Sequence, residues 1–247
     1  MLISANVEAV KSGDKVHLVD DQPYVGREYV GSAPKPGTSG YGQSVVGDGS
    51  PQAYLVMQPP GSVTRPHFHQ TNQFQVFVDG GGTVGKLRAD PITVQYAGAN
   101  TPYGPIKAEA EGIHYFTLRQ EWDSGAKYLP AQQELLVKGR QRQIIGVSKS
   151  ASLPAIGVTK QTLIPPTDDG LMALYLKFAA DTRMTLPDAA EGGGQYHVVV
   201  AGSLNRDGED MGPMSIEFAS PAAGAIEVAA GSQGLELVLA RFPRKTI

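Results

Sequence analysis

Apolar and polar positions alternate in short runs along this chain, and three of those runs set the expected architecture. In Gln73-Phe-Gln-Val-Phe-Val-Asp-Gly80, a strand puts Gln73, Gln75 and Phe77 on one face and Phe74, Val76 and Val78 on the other. Pro91-Ile-Thr-Val-Gln-Tyr-Ala97 and Gly112-Ile-His-Tyr-Phe-Thr-Leu-Arg119 read as two more strands, each opened by a proline or a glycine. Thirty glycines and eighteen prolines leave few long stretches free of either, which predicts many short strands and turns rather than a helical bundle. A mostly β protein is expected.

The same three runs return 122 residues later, as Gln195-Tyr-His-Val-Val-Val-Ala-Gly202, Pro213-Met-Ser-Ile-Glu-Phe-Ala219 and Gly234-Leu-Glu-Leu-Val-Leu-Ala-Arg241. Residues 53–119 align with 175–241 without a gap; about nine of the 67 positions are identical, and they cluster in the strands. A duplicated chain is therefore expected, each half a β-barrel or sandwich of about 100 residues. Residues 1–128 would hold an N-terminal arm and the first barrel, and 129–247 a linker and the second. The arm, residues 1 to about 45 with Pro34-Lys-Pro-Gly-Thr-Ser-Gly-Tyr-Gly42 near its end, is expected to run over a barrel and add an edge strand. The polar stretch 126–150 is locally the most helix-compatible and reads as the connection.

Composition removes several classes of function. A formal net charge of -3 with 18% charged residues, Lys and Arg scattered singly, offers no surface for a phosphate backbone, so no nucleic-acid partner is expected. With no cysteine there is no disulfide or thiolate chemistry, and a metal would have to be held by nitrogen and oxygen. The N-terminus lacks the basic start and apolar run of a signal peptide, and no segment is suited to span a bilayer; a cytoplasmic protein without a membrane partner is the expectation.

Chemistry concentrates in Gly61-Ser-Val-Thr-Arg-Pro-His67-Phe-His69-Gln-Thr-Asn-Gln73. His67 and His69 leave a strand from one face and can reach one ion, and a turn after His69 would bring Gln73 to the same point. Gly80-Gly-Gly-Thr-Val-Gly85 formally fits a dinucleotide fingerprint but leads by proline into another strand, so it reads as a hairpin loop. Thr167-Asp-Asp-Gly170 reads as a turn.

The spacing of Gly61, His67, His69, Gln73 and Gly80 resembles the first motif of the cupin superfamily. The resemblance implies an all-β fold of two tandem cupin-type antiparallel β-barrels (double-stranded β-helix), a bicupin, with His67, His69 and Gln73 as metal ligands. Gln73 stands where most metal-binding relatives have Glu. The second motif is degenerate: Pro102-Tyr-Gly104-Pro-Ile-Lys107 has Lys107 at the place of the fourth ligand, where it would face solvent or an anionic substrate. His114 is the other histidine near enough in sequence to supply a nitrogen. The resemblance puts Tyr103 at the barrel mouth as a donor to substrate, and Gln75 one step deeper as a pocket hydrogen-bonding group. The second barrel is degenerate too, with Ala189, Glu191, Gln195 and Ala229 at the motif positions; Glu191, Gln195, His197 and Glu236 match no metal spacing.

The expected function is a metal-dependent cupin enzyme acting on a small organic substrate, with one divalent transition metal, iron foremost, and nickel, manganese, cobalt or zinc chemically acceptable. An oxygen-using dioxygenase is one outcome; a non-redox isomerase or lyase is another. Two further alternatives are a non-catalytic small-ligand-binding or structural bicupin, and a metal-free enzyme using a histidine as general base. A homodimer is implied by the resemblance, unless the duplicated chain makes that contact internally.

Overall fold

The computed structural model describes residues 1–44, 47–139, 141–149 and 152–245. The chain divides into two compact units, Gly13–Val147 and Met1–Ser12 with Ser148–Ile247. Each is an antiparallel β-barrel. In the first, neighbouring strands run in the order Gln143–Val147, Thr93–Ala97, Gln73–Val84, Ile106–Arg119, Gln52–Gln58, Gln22–Val30 and Lys15–Val19. In the second the order is Leu2–Ala5, Ile216–Ala219, Gln195–Arg206, Glu227–Arg241, Met172–Phe178 and Val158–Ile164. Among the described residues no helix is long and apolar enough to cross a membrane.

The division differs from the expected one at residue 128. Leu2–Ala5 pairs with Ile216–Ala219 of the second barrel, while Gln143–Val147, in the stretch read as a connection, pairs with Thr93–Ala97 of the first. Among its described residues, the stretch expected to favour helix holds a single helical turn, the 3-10 turn Gln133–Leu135. Long-range pairing overrode local propensity at both places, since a strand that closes a sheet edge satisfies its backbone groups whatever its sequence position. Of the arm, Lys15–Val19 and Gln22–Val30 form an edge hairpin of the first barrel, and Pro34, Pro36 and Tyr41 line its cavity.

The ladder registers place side chains in rows across each barrel's inner face. In the first, one row is Gln52, Arg119, Gln73 and Ala97, and the next is Tyr54, Thr117, Gln75 and Gln95. The matching rows of the second are Met172, Arg241, Gln195 and Ala219, then Leu174, Leu239, His197 and Glu217. The long strands bulge at equivalent points. Gly80 has φ +69°, and a Cβ there would lie 2.3 Å from the Gly112 carbonyl oxygen; Gly202 has φ +68°, with the Gly234 oxygen at 2.0 Å. Only glycine permits strands to approach so closely in that conformation. The Gly80–Gly85 segment lies within this strand and its following turn, as expected of a hairpin.

The interiors differ. Met172, Leu174, Leu176, Phe178, Val199, Leu237 and Leu239 belong to one buried apolar cluster in the second barrel. At the corresponding places in the first, Tyr54, Val56, Tyr115 and Thr117 line a cavity.

Candidate functional site

His67 is fixed by a short backbone ladder: its N–H donates to the Tyr103 carbonyl at 3.1 Å, and the Tyr103 N–H donates back at 3.0 Å. The two side chains therefore meet. His67 Nδ1 lies 2.7 Å from the Arg65 carbonyl, which can only accept, so the hydrogen-bond network assigns the proton to Nδ1 and leaves Nε2 as acceptor. The Tyr103 hydroxyl, 2.8 Å away, donates to that Nε2 and itself accepts from the Gln73 amide. One chain of hydrogen bonds thus runs from Gln73 through Tyr103 and His67 to the Arg65 backbone.

Arg119 ends the long Ile106–Arg119 strand, with Gln52 and Gln73 as its ladder neighbours. Its side chain is fully buried. Nε and Nη2 donate to Gln73 Oε1 at 3.2 and 2.9 Å, and Nη1 donates to Gln52 Oε1 and, at 3.1 Å, to the Tyr54 hydroxyl. Nη2 also lies 3.1 and 3.4 Å from Nδ1 and Nε2 of His69.

Behind His69 sits Asp123. Its Oδ1 is 2.8 Å from His69 Nδ1 and from the Gly125 N–H, and its Oδ2 accepts from the Gln70 N–H at 3.0 Å. Burial raises the Asp123 carboxyl, but His69, Arg119 and Lys127 outweigh burial and hold it well below the usual carboxylate range. Being ionised, it accepts the Nδ1 proton of His69, which leaves Nε2 to face Arg119. Lys127 Nζ reaches the same carboxylate at 3.4 Å. Burial is the main cause that lowers His67 to about 4 and His69 to about 3, with the Arg119 charge pushing the same way. Both imidazoles are neutral at neutral pH.

This donor set does not fit a divalent ion. A metal needs lone pairs aimed at one point, yet His67 Nε2 takes the Tyr103 proton, His69 Nε2 faces a guanidinium, and Gln73 Oε1 accepts twice from that guanidinium. A second positive charge beside Arg119 is repelled. Among the described residues no group of three His, Cys, Asp or Glu could hold a metal.

The other expected residues separate. His114 is on the opposite strand face from Tyr115 and Thr117, partly exposed, with Nδ1 3.1 Å from Asp79 Oδ2, so it does not join His67 and His69. Gln75 faces the cavity and accepts from Gln95 at 2.9 Å. Tyr103 is buried, and its hydroxyl is committed to His67 and Gln73. Lys107 is exposed. In the second barrel Gln195 meets His197 at 3.1 Å, but Glu191 pairs with Arg241, His197 lies 3.2 Å from Glu217, and Glu236 pairs with Lys177, so the four do not gather at one point.

Sequence reasoning missed Arg119 and Asp123, which lie about fifty residues beyond the histidines. One signal was present: Arg119 and Arg241 are identical when the sequence is shifted by 122 residues, each at the end of an apolar strand where a lone charge needs a reason. Arg241 is also buried and donates to the Gly170 and Asp188 carbonyls at 2.9 and 3.0 Å.

No protein-family model matches the chain, and no curated protein sequence does. Solved structures resemble it throughout its length. A "putative dioxygenase" from Nostoc punctiforme superposes with a TM-score of 0.65 at 11% identity, covering 100% of this chain and 85% of that one. A variant of Bacillus subtilis oxalate decarboxylase gives 0.56 at 10%, covering 100% and 78%, and hazelnut (Corylus avellana) vicilin gives 0.56 at 12%, covering 94% and 84%. Identity this low establishes the fold alone, an all-β fold of cupin-type antiparallel barrels. The names on that fold differ, so it selects no activity by itself.

Proposed function

We propose that the first barrel is a metal-independent binding site for a small organic molecule, and that the second is a duplicated copy kept for packing. The observation that carries the reading is the contact of Arg119 with Gln73 Oε1 and His69: the chain's own cation stands on the atoms a metal would need. A cavity beside these groups supplies the binding space. Binding is favoured over proton transfer because neither imidazole is poised: His67 has both nitrogens engaged, and a base held near 3 or 4 is weak at neutral pH. Matched rows and bulges in the two units support the duplication, and the leucines in place of Tyr54 and Thr117 support a packing role for the second.

The competing reading is a metal enzyme, which the fold neighbours bring forward; one of them is described by the Mn(II) centres of Bacillus subtilis oxalate decarboxylase. Metal analysis of tag-free protein produced with iron, manganese, nickel, cobalt and zinc in the medium decides between them. Far less than one metal per chain, with the same trace in the His67→Ala/His69→Ala variant, is expected. Near-stoichiometric metal that disappears in that variant would overturn the proposal.

A further inference from the structure

The lining of the first barrel's cavity contains arginine, histidines, tyrosines and threonines but no carboxylate. Asp123 and Lys127 lie outside that lining, each with a side chain 1% exposed. Arg119 is the one side chain of the lining that always carries a charge, and it sets a positive potential at the cavity wall that a low-dielectric surround screens far less than water would.

Next to Arg119 on the inner face comes the row Tyr54, Thr117, Gln75, one ladder step further in. Thr117 and Gln75 are 3% and 2% exposed, and Tyr115 is 4%. Among the described residues the Thr117 and Tyr115 hydroxyls have no hydrogen-bond partner, and Gln75 uses its oxygen, toward Gln95, while its amide N–H groups have none. All three residues line the cavity. These groups open on the cavity, so their partners come from what fills that space. Tyr54 accepts from Arg119 Nη1 and so turns its own proton away from the guanidinium, polarised by that charge.

The cavity measures about 100 Å³. A single water needs roughly 10–15 Å³, so the space admits a small organic molecule and not only one water. Its walls carry the rings of Tyr24, Tyr103, Tyr115 and Tyr128, which favour a flat body.

Resting on the metal-independent reading above, we infer that the ligand is a small planar monocarboxylate. Its carboxylate is seated on the Tyr54, Thr117 and Gln75 donors beside Arg119, and its apolar body lies among the tyrosine rings. A carboxylate suits this wall because it only accepts, and its two oxygens take several donors at once. Arg119 acts by its charge and through Tyr54, since its hydrogen bonds are made within the protein.

Benzoate and benzamide test this, being alike in size and shape and different in charge. Calorimetric titration of the full-length, metal-analysed protein at neutral pH is expected to give benzoate binding about tenfold or more tighter than benzamide. Thr117→Val and Gln75→Leu should each weaken benzoate about five- to tenfold. Thermal unfolding without ligand should be unchanged or raised in Thr117→Val, whose hydroxyl has no protein partner, and lowered in Gln75→Leu, which takes the acceptor from the buried Gln95 amide. Equal binding of benzamide, benzoate affinity unchanged in Thr117→Val, or no benzoate binding to metal-free protein would overturn the inference. Those results leave the metal-independent reading standing; metal retained by His67 and His69 sinks that reading whatever benzoate does.

Discussion

Arg119 donates from Nε and Nη2 to the same oxygen of Gln73, at 3.2 and 2.9 Å, so the Gln73 amide serves a guanidinium. A neutral oxygen suffices for this, because the charge it faces is already built into the barrel and is shared with Gln52, Tyr54 and His69.

Arg119→Met should therefore destabilise the first barrel by about 3–5 kcal/mol, the range for breaking a buried charged network on one side. Gln52 and Gln73 would each lose their donors. Arg119→Lys should recover only part of the loss, since one ammonium cannot reproduce a planar fork that reaches four side chains. Trp122 is the chain's one tryptophan and lies in the first unit, so its fluorescence in a denaturant titration reads the transition. A loss below about 1 kcal/mol in Arg119→Met would show that the network is not a stabilising one.

Asp123 and Lys127 should behave as a unit. Asp123→Asn leaves the Lys127 ammonium and Arg119 without the nearby anion, with an expected cost of about 3–5 kcal/mol. Adding Lys127→Met removes one of the stranded charges, so the double variant should be more stable than the sum of the singles predicts, by about 1–3 kcal/mol. Strict additivity would mean that the two groups do not interact.

The fold was legible where the pattern was local. The alternation in Gln73–Gly80, Pro91–Ala97 and Gly112–Arg119, and its return 122 residues on, located the central strands of both barrels. What failed was the assignment of the outer strands: nothing in Leu2–Ala5 or Gln143–Val147 says which barrel each will close, because that is decided by pairing far along the chain. At the site, spacing grouped His67, His69 and Gln73, and the resemblance set Tyr103 at the barrel mouth, but neither shows what stands opposite them. The positions of Arg119 and Asp123 depend on strand register and a following loop, which a motif does not encode. His114 was undecidable by parity, since its strand is apolar on both faces; register settles it.

Stability of the first barrel should fall as pH drops below about 6.5. An unfolded histidine takes up its proton near that value. In the folded chain His67 does so near 4 and His69 near 3, because burial and the Arg119 charge oppose it. Over that interval the unfolded state binds more protons, so stability decreases with falling pH, by on the order of 3 kcal/mol for each imidazole. Asp123, also depressed, acts in the same direction at lower pH. Unfolding midpoints followed by Trp122 fluorescence from pH 7 to 4 should decline in the wild type and decline less in His67→Asn/His69→Asn. Nitrogen NMR of the imidazoles at pH 5 should find both neutral with the proton on Nδ1; imidazolium signals there would contradict the assignment.

The second barrel should respond as a filled core. Leu239 holds the place of Thr117 and packs with Leu174, Leu176 and Leu237 in the apolar cluster. Leu239→Ala should cost about 2–5 kcal/mol, the transfer free energy of the lost methyl groups plus the cavity they leave. Leu239→Thr, which imports the residue of the first barrel, should also destabilise, because it takes apolar volume out of the cluster and buries a hydroxyl beside Leu174. The converse change, Thr117→Leu, places apolar volume in an existing cavity and should leave stability near that of the wild type while abolishing benzoate binding. Far-UV circular dichroism in denaturant measures all three. A loss under about 1 kcal/mol for Leu239→Ala would mean that the second barrel is not closely packed at this row and would remove the contrast between the two interiors.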